Sequence, residues 1–169
     1  SMNTDKNMNV DAIARTPHTT ARRKFPRTRK VASRLKSELK SLLQLGKNKI
    51  HRFTPKVSIF FEKGPFILKT VTKRRELIAA LKLRYEVFCR EFKGASSAMG
   101  VDVDAFDRIC DHLVIIDRDR KKVVGTYRLN SSLFSQKFYS ADEFQMSAFL
   151  NSPGIKLEMG RACIHKDYR

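Results

Sequence analysis

Apolar positions along the chain follow two periods. Val31, Leu35, Leu39, Leu42 and Leu43 recur at helical spacing, and Gly46 follows where a helix would stop, so a helix is predicted over 31–45. Phe66-Ile67-Leu68-Lys69-Thr70-Val71 reads as a strand after a turn at Gly64-Pro65. Thr72 is the expected cap of a helix that starts at Lys73 and runs through residue 92. Leu77, Ala80, Leu81, Leu83, Tyr85, Val87 and Phe88 give that helix a broad apolar face. Gly94 to Gly100 is a loop of small residues, and Asp102, Asp104, Asp107 and Asp111 mark an acidic segment after it. His112 to Ile116 and Val123 to Leu129 read as the arms of a hairpin around the polar turn 117–121. Short helices are expected between Phe138 and Leu150, then a turn at Asn151-Ser152-Pro153-Gly154 and a last strand over 155–164. Strict alternation in that strand puts Lys156, Glu158, Gly160 and Ala162 on one face, and Leu157, Met159 and Arg161 on the other. A hairpin-containing sheet with a long helix on one face is an α/β or α+β layer fold.

Charge changes the picture at one end. Within 169 residues of formal net charge +18, residues 1–56 hold fifteen Lys and Arg against three Asp and Glu. We read this segment as a basic tail, extended over 1–30, and 57–169 as the folded domain. Its helix is basic and amphipathic, with Arg34, Lys36 and Lys40 beside the leucine stripe. The ordinary reading, which we take, packs that stripe on the domain; the alternative lays it on an anionic membrane or an acidic partner. Nucleic acid is set aside, because neither aromatic interleaving nor a DNA-binding motif accompanies the basic run at Arg22 to Lys30. No run approaches the ~18 apolar residues of a transmembrane helix, and the N-terminus lacks the apolar core of a signal peptide. A cytoplasmic protein, peripheral on the inner face of the membrane, is the expectation.

Candidate chemistry is sparse. Cys89, Cys110 and Cys163 are three cysteines without C-x-x-C spacing, which speaks against a disulfide framework or a zinc ribbon. Neither the histidines nor Asp102-x-Asp104 has metal-ligand spacing, so no metal is expected. Charged residues within apolar stretches are more informative. Arg84 lies in the helix, Arg128 ends a strand, and Glu158 and Arg161 lie in the last strand, near the acidic Asp104 and Asp107. Charge in such places needs partners, and the ordinary outcome is a set of structural ion pairs that orient the acidic loop.

The same residues carry a family resemblance. Leu83-Arg84-Tyr85-Glu86-Val87-Phe88 resembles a helix end shared by acyl-homoserine-lactone synthases and their relatives. Asp104-Ala105-Phe106-Asp107 with Cys110-Asp111-His112-Leu113, Val124 to Leu129, Phe138-Tyr139-Ser140-Ala141 with Glu143-Phe144, and Leu157 to His165 resemble consecutive motifs of bacterial ornithine-lipid acyltransferases. These belong to the GNAT superfamily, and some carry the label hemolysin. The resemblance covers residues 66–169 and implies an α/β, GNAT-like fold: a mixed, mainly antiparallel sheet flanked by helices. The sequence stops at Tyr168-Arg169, where a phosphate-cradling turn would begin, so the C-terminal part of the domain is expected to be truncated.

The resemblance implies an N-acyltransferase that moves a fatty acyl group, often 3-hydroxylated, from acyl carrier protein to the amine of an amino acid such as ornithine. No permanently bound cofactor is implied; the donor is the phosphopantetheine thioester. By carry-over, Glu158 is the general base, directly or through water. Arg84, Phe88, Asp104, Asp107, Arg128 and Arg161 form the substrate-binding network. Backbone N–H groups of the Glu158 strand supply the oxyanion donors, and Cys163 is a bystander. The alternatives are an acyl-homoserine-lactone synthase and, from another class, a basic membrane- or nucleic-acid-binding module on a degenerate acyltransferase scaffold.

Overall fold

The computed structural model describes residues 27–91 and 100–169. The expectations for residues 1–26, and for the small-residue loop before Gly100, lie outside the described residues. The helix α1 (Arg27–Lys47) leads through a short 3-10 turn (Ile50–Arg52) to the hairpin of β1 (Phe60–Lys63) and β2 (Phe66–Thr70). Then come α2 (Arg74–Arg84), continued by a π-helical segment (Tyr85–Glu91), and a 3-10 turn (Ala105–Arg108). The strands β3 (Asp111–Asp117) and β4 (Lys122–Ser131) precede a second 3-10 turn (Tyr139–Asp142) and α3 (Ser147–Asn151). β5 (Leu157–Ile164) ends in a last 3-10 turn (Lys166–Tyr168).

The five strands form one sheet in chain order, and every neighbouring pair is antiparallel. β1–β2 and β3–β4 are tight hairpins, while the segments carrying α2 and α3 join β2 to β3 and β4 to β5; each strand still lies beside the one before it, the common arrangement of sequential strands. β1 is the strand the pattern missed: Phe60 and Phe61 are exposed, so no inside–outside alternation marks it. Gly64 closes its turn with φ 56, a left-handed conformation that glycine adopts without a steric penalty.

α2 packs on the sheet with Leu77, Ala80 and Leu81, which join Val71, Val101 and Val114 in the main core. A fully buried leucine contributes about 1.5–3 kcal/mol relative to an exposed one. Its N-terminus is closed by Glu76 rather than by the expected Thr72. The Glu76 carboxylate accepts the backbone N–H groups of Thr72 and Lys73 at 3.1 and 3.2 Å and pairs with Lys69 at 2.8 Å.

α1 corrects the packing reading of the leucine stripe. Leu45, and Ile50 beyond the helix, enter the main core, and Ser41 is buried. Val31, Leu35, Leu39, Leu42 and Leu43 instead remain 55–66% exposed. The helix is anchored by its C-terminal end, and that rotation turns the stripe away from the body. Among the described residues, no helix is long and apolar enough to cross a membrane.

β5 corrects the face assignment of Arg161. Arg128 pairs with Gly160 and Thr126 with Cys163, so Arg161 and Ala162 together oppose Tyr127. This is a β-bulge, and Arg161 sits in it with φ 53. The extra residue shifts the alternation by one, which brings the Arg161 side chain to the acidic segment on the Glu158 side. A non-glycine residue in the left-handed region is costly and calls for a reason, which its side-chain partners supply.

Candidate active site

The acidic segment and three arginines form an alternating lattice. Arg84 is fully buried at the end of α2 and meets Asp107 at 2.6 Å and Asp102 at 3.2 Å. Arg128 on β4 contacts both carboxylate oxygens of Asp104 at 2.7 Å and Asp107 at 3.1 Å. Arg161 on β5 reaches Asp102 at 3.4 Å and Asp104 at 3.2 Å. Each guanidinium thus spans two carboxylates, and three positive charges meet three negative ones. The chain supports this locally. Asp104 caps the 3-10 turn by accepting the N–H groups of Phe106 and Asp107, and Asp107 returns the bond to the Asp104 N–H at 2.8 Å. His112, buried beneath, contacts the Asp107 carbonyl through Nε2 at 2.9 Å.

Burial alone would raise the Asp107 carboxyl, but the charge of Arg84 leads a set of neighbours that hold it below the usual carboxylate range. Burial opposes the charge on Arg84 and Arg128 as well; their aspartates outweigh it and keep both guanidiniums firmly protonated. Aromatic rings complete the setting. Arg128 lies between Phe106 and Tyr139, at 5.7 and 5.5 Å from the ring centres. Arg161 lies between Phe88 and Tyr139, at 5.8 and 5.9 Å.

A pocket of about 190 Å³ opens beside this lattice, lined by Arg128, Asn130, Tyr139, Glu158, Gly160 and Arg161 among others. Gly160 faces open space: a Cβ added there would meet nothing within 4 Å. Glu158 accepts the Tyr139 N–H at 2.9 Å, the Ser140 N–H at 2.8 Å and the Ser140 hydroxyl at 2.7 Å. Burial pushes its pKa up, and these bonds, led by Ser140, outweigh that and leave it lowered. Glu158 is therefore ionised at neutral pH, and it is the carboxylate that lines the pocket. Cys110 also lines it, but burial pushes that thiol up to about 12, and Cys163 up to about 11. Neither is a thiolate near neutrality, which speaks against a covalent cysteine intermediate.

A second, apolar groove of about 630 Å³ is lined by Val87, Phe88, Leu113, Ile115, Tyr127 and Met159 among others. Met159 of β5 lines both cavities.

The sequence from Leu83 to Arg169 matches the profile of the acetyltransferase (GNAT) domain, over residues 83–169. The chain belongs to the GNAT family. Among curated proteins it is similar to the L-ornithine N(alpha)-acyltransferase of Agrobacterium fabrum, at 34% identity over 125 residues, which is 66% of this chain and 43% of that protein. The enzyme of the same name from Rhizobium meliloti is 36% identical over 108 residues, 56% of this chain and 36% of that protein. The chain thus spans less than half the length of these relatives. No solved structure matches it.

Within this GNAT chain the structure brings Arg84, Phe88, Asp104, Asp107, Arg128 and Arg161 into one lattice, with Glu158 on the pocket beside it. Arg34, Lys36 and Lys40 are exposed on α1 and take no part in it. Sequence reasoning missed four contributors. Asp102, in the sequence only one more acidic residue of that segment, pairs with two arginines. Tyr139 and Ser140, which the sequence shows only as part of a motif, supply a ring and donors to Arg128, Arg161 and Glu158. Asn130 carried one usable signal: it lies two residues beyond Arg128, on the same face of a strand.

Proposed function

We propose that the protein carrying this chain is an N-acyltransferase that moves a fatty acyl group, 3-hydroxylated in the favoured case, from a thioester to the amine of an ornithine-type amino acid. The observation that carries this reading is a small polar pocket holding the ionised Glu158 and a larger apolar groove, with Met159 of β5 in the lining of both. An amine acceptor matches the first and an acyl chain the second. The name of the curated relatives supports the acceptor class.

In the reaction the amine nitrogen attacks the thioester carbonyl; a C–N bond forms, the C–S bond breaks, and the thiol leaves with a proton. The neutral form of the amine attacks, and Glu158 takes the nitrogen's proton, directly or through water, once the C–N bond has formed. A lowered pKa is no obstacle, because the nitrogen becomes strongly acidic once it has bonded to carbon. Backbone N–H groups at the β5 bulge are our choice for the oxyanion donors; a bulge leaves backbone groups outside the strand ladder. Arg161 and Arg128, each balanced by two aspartates, hold the acidic turn against the pocket wall.

Acyl carrier protein is our choice of donor. Such carriers are acidic, and a chain of formal net charge +18 would steer them by complementary potential. Peripheral membrane placement follows from α1, whose exposed leucines stand beside the exposed Arg34, Lys36 and Lys40.

The test is turnover by the full-length protein with 3-hydroxyacyl carrier protein and a pool of amino acids, read by mass spectrometry. An amide-linked acyl amino acid is expected, and Glu158→Gln should lower kcat by about 10²–10⁴-fold. A folded protein that acylates no amino acid, or a Glu158→Gln variant with unchanged kcat, overturns the assignment it addresses.

A further inference from the structure

Gly160 lies inside β5 and is half-buried. A glycine within a strand weakens it, through backbone entropy and the lost packing of a side chain. Two structural reasons commonly retain one. The first is a left-handed backbone, and Gly160 does not have it: its φ lies outside that region, unlike that of Gly64. The second is a neighbour too close to admit a Cβ. Gly125, on β4, is of that kind, with Ile115 only 3.0 Å from where its Cβ would stand. A Cβ on Gly160 would meet nothing within 4 Å among the described residues. The remaining reason is the close approach of a ligand to the strand.

The register shows where that ligand lies. Gly160 pairs with Arg128 across the sheet and follows Glu158 by two residues, ahead of the bulge, so the three share one face. Arg128 and Glu158 both line the polar pocket, and so does Gly160. A side chain at 160 would therefore project into that pocket, a cavity of only about 190 Å³. Gly160 is not in the lining of the apolar groove. Its missing side chain thus leaves room on the acceptor side and not on the acyl side. We propose that Gly160 is the floor of the acceptor site: the carbon bearing the reacting amine packs on its backbone, in the space that any side chain would fill. This rests on the acyl-transfer reading above and deepens it. Residues two apart in a strand stand about 6.6 Å from each other, so a nitrogen one bond from that carbon lies within reach of the Glu158 side chain, directly or through a water.

The experiment compares the full-length wild-type protein with Gly160→Ala and Gly160→Val. Steady-state constants are measured with 3-hydroxyacyl carrier protein and L-ornithine, Kd for L-ornithine separately by calorimetry, and stability by urea denaturation. The added Cβ meets no atom of the described residues and suits a strand, so the urea midpoint of Gly160→Ala should equal or exceed that of the wild-type protein. We expect KM and Kd for L-ornithine to rise about tenfold or more in Gly160→Ala and further in Gly160→Val, with KM for the acyl donor within twofold. A loss of stability in Gly160→Ala shows a position that is packed rather than kept open, and overturns the proposal. A stable Gly160→Ala variant with unchanged acceptor constants overturns it while leaving acyl transfer in place. A stable variant in which both KM values rise together overturns the assignment of this floor to the acceptor. Wild-type protein that neither binds nor acylates L-ornithine overturns the acyl-transfer reading and this one with it. Binding without turnover, weakened in the stable variant, supports this one alone.

Discussion

Arg128 on β4 and Arg161 on β5 are tied to each other through one carboxylate, Asp104, at 2.7 and 3.2 Å. This relationship holds the bulged strand against the acidic turn, and it gives Arg161 a reason to keep its left-handed backbone.

The lattice has a buried end and a pocket end, and the two should respond differently to neutralisation. Asp107→Asn removes one of the two carboxylates of Arg84, and both side chains of that pair are fully buried. Breaking it, with only the partly exposed Asp102 left to Arg84, should cost about 3–5 kcal/mol of stability. Asp104→Asn acts on a carboxylate only 25% exposed and should cost about 1–3 kcal/mol, while releasing Arg161 at the pocket. Urea denaturation with parallel turnover assays checks both. The larger stability loss belongs to Asp107→Asn, and Asp104→Asn should lose activity out of proportion to its small destabilisation. Equal stability losses would contradict the gradient of burial.

The exposed stripe of α1 should be separable from folding. Leu39 is 59% exposed and Leu43 66%, so Leu39→Glu with Leu43→Glu should change stability by only about 0.5 kcal/mol each. The same pair should abolish co-sedimentation with vesicles of anionic lipid, and wild-type binding should weaken as salt rises. Wild-type protein that ignores anionic vesicles at low salt would remove the membrane reading. Binding that survives both substitutions would place the contact elsewhere.

Stability should fall off on both sides of a plateau. His112 is completely buried; its burial outweighs the pull of Asp107 and lowers its pKa from the ordinary 6.5. The unfolded chain therefore binds the extra proton first, and stability is lost as pH falls below about 6.5. Cys110 does the reverse. Burial pushes its thiol from 9.0 to about 12, so the unfolded chain ionises first and stability is lost as pH rises above 9.0. Urea midpoints measured from pH 5 to 10 should show the plateau between these limits. His112→Phe should flatten the acid shoulder while lowering the plateau, because the Asp107 carbonyl loses its partner. A midpoint that is flat from pH 7 to pH 5 in the wild-type protein would show that His112 protonates freely in the fold.

Much of this architecture is written in local pattern. The apolar face of α2, the β3–β4 hairpin and the position of β5 follow from periods of 3.6 and 2, which depend on backbone geometry alone. The charged residues of the lattice stood out for a related reason: Arg84 and Arg128 interrupt apolar stretches, and a buried charge requires a partner. Which partner was a different matter. Arg161 reaches Asp104 only because β5 bulges, and a one-residue bulge leaves no trace in an alternation that already mixes polar and apolar positions. The leucine stripe of α1 was legible as a stripe. Its exposure was decided by Leu45 and Ile50 docking into the core and fixing the rotation of the helix. Glu158 was legible as a carboxylate on a strand, whereas its ionised state came from Tyr139 and Ser140, brought to it across the fold. Sequence by itself determined the elements and the inventory of charge, because those are properties of neighbours along the chain. Tertiary structure alone decided faces, partners and proton affinities, because each depends on groups that meet only when distant segments pack.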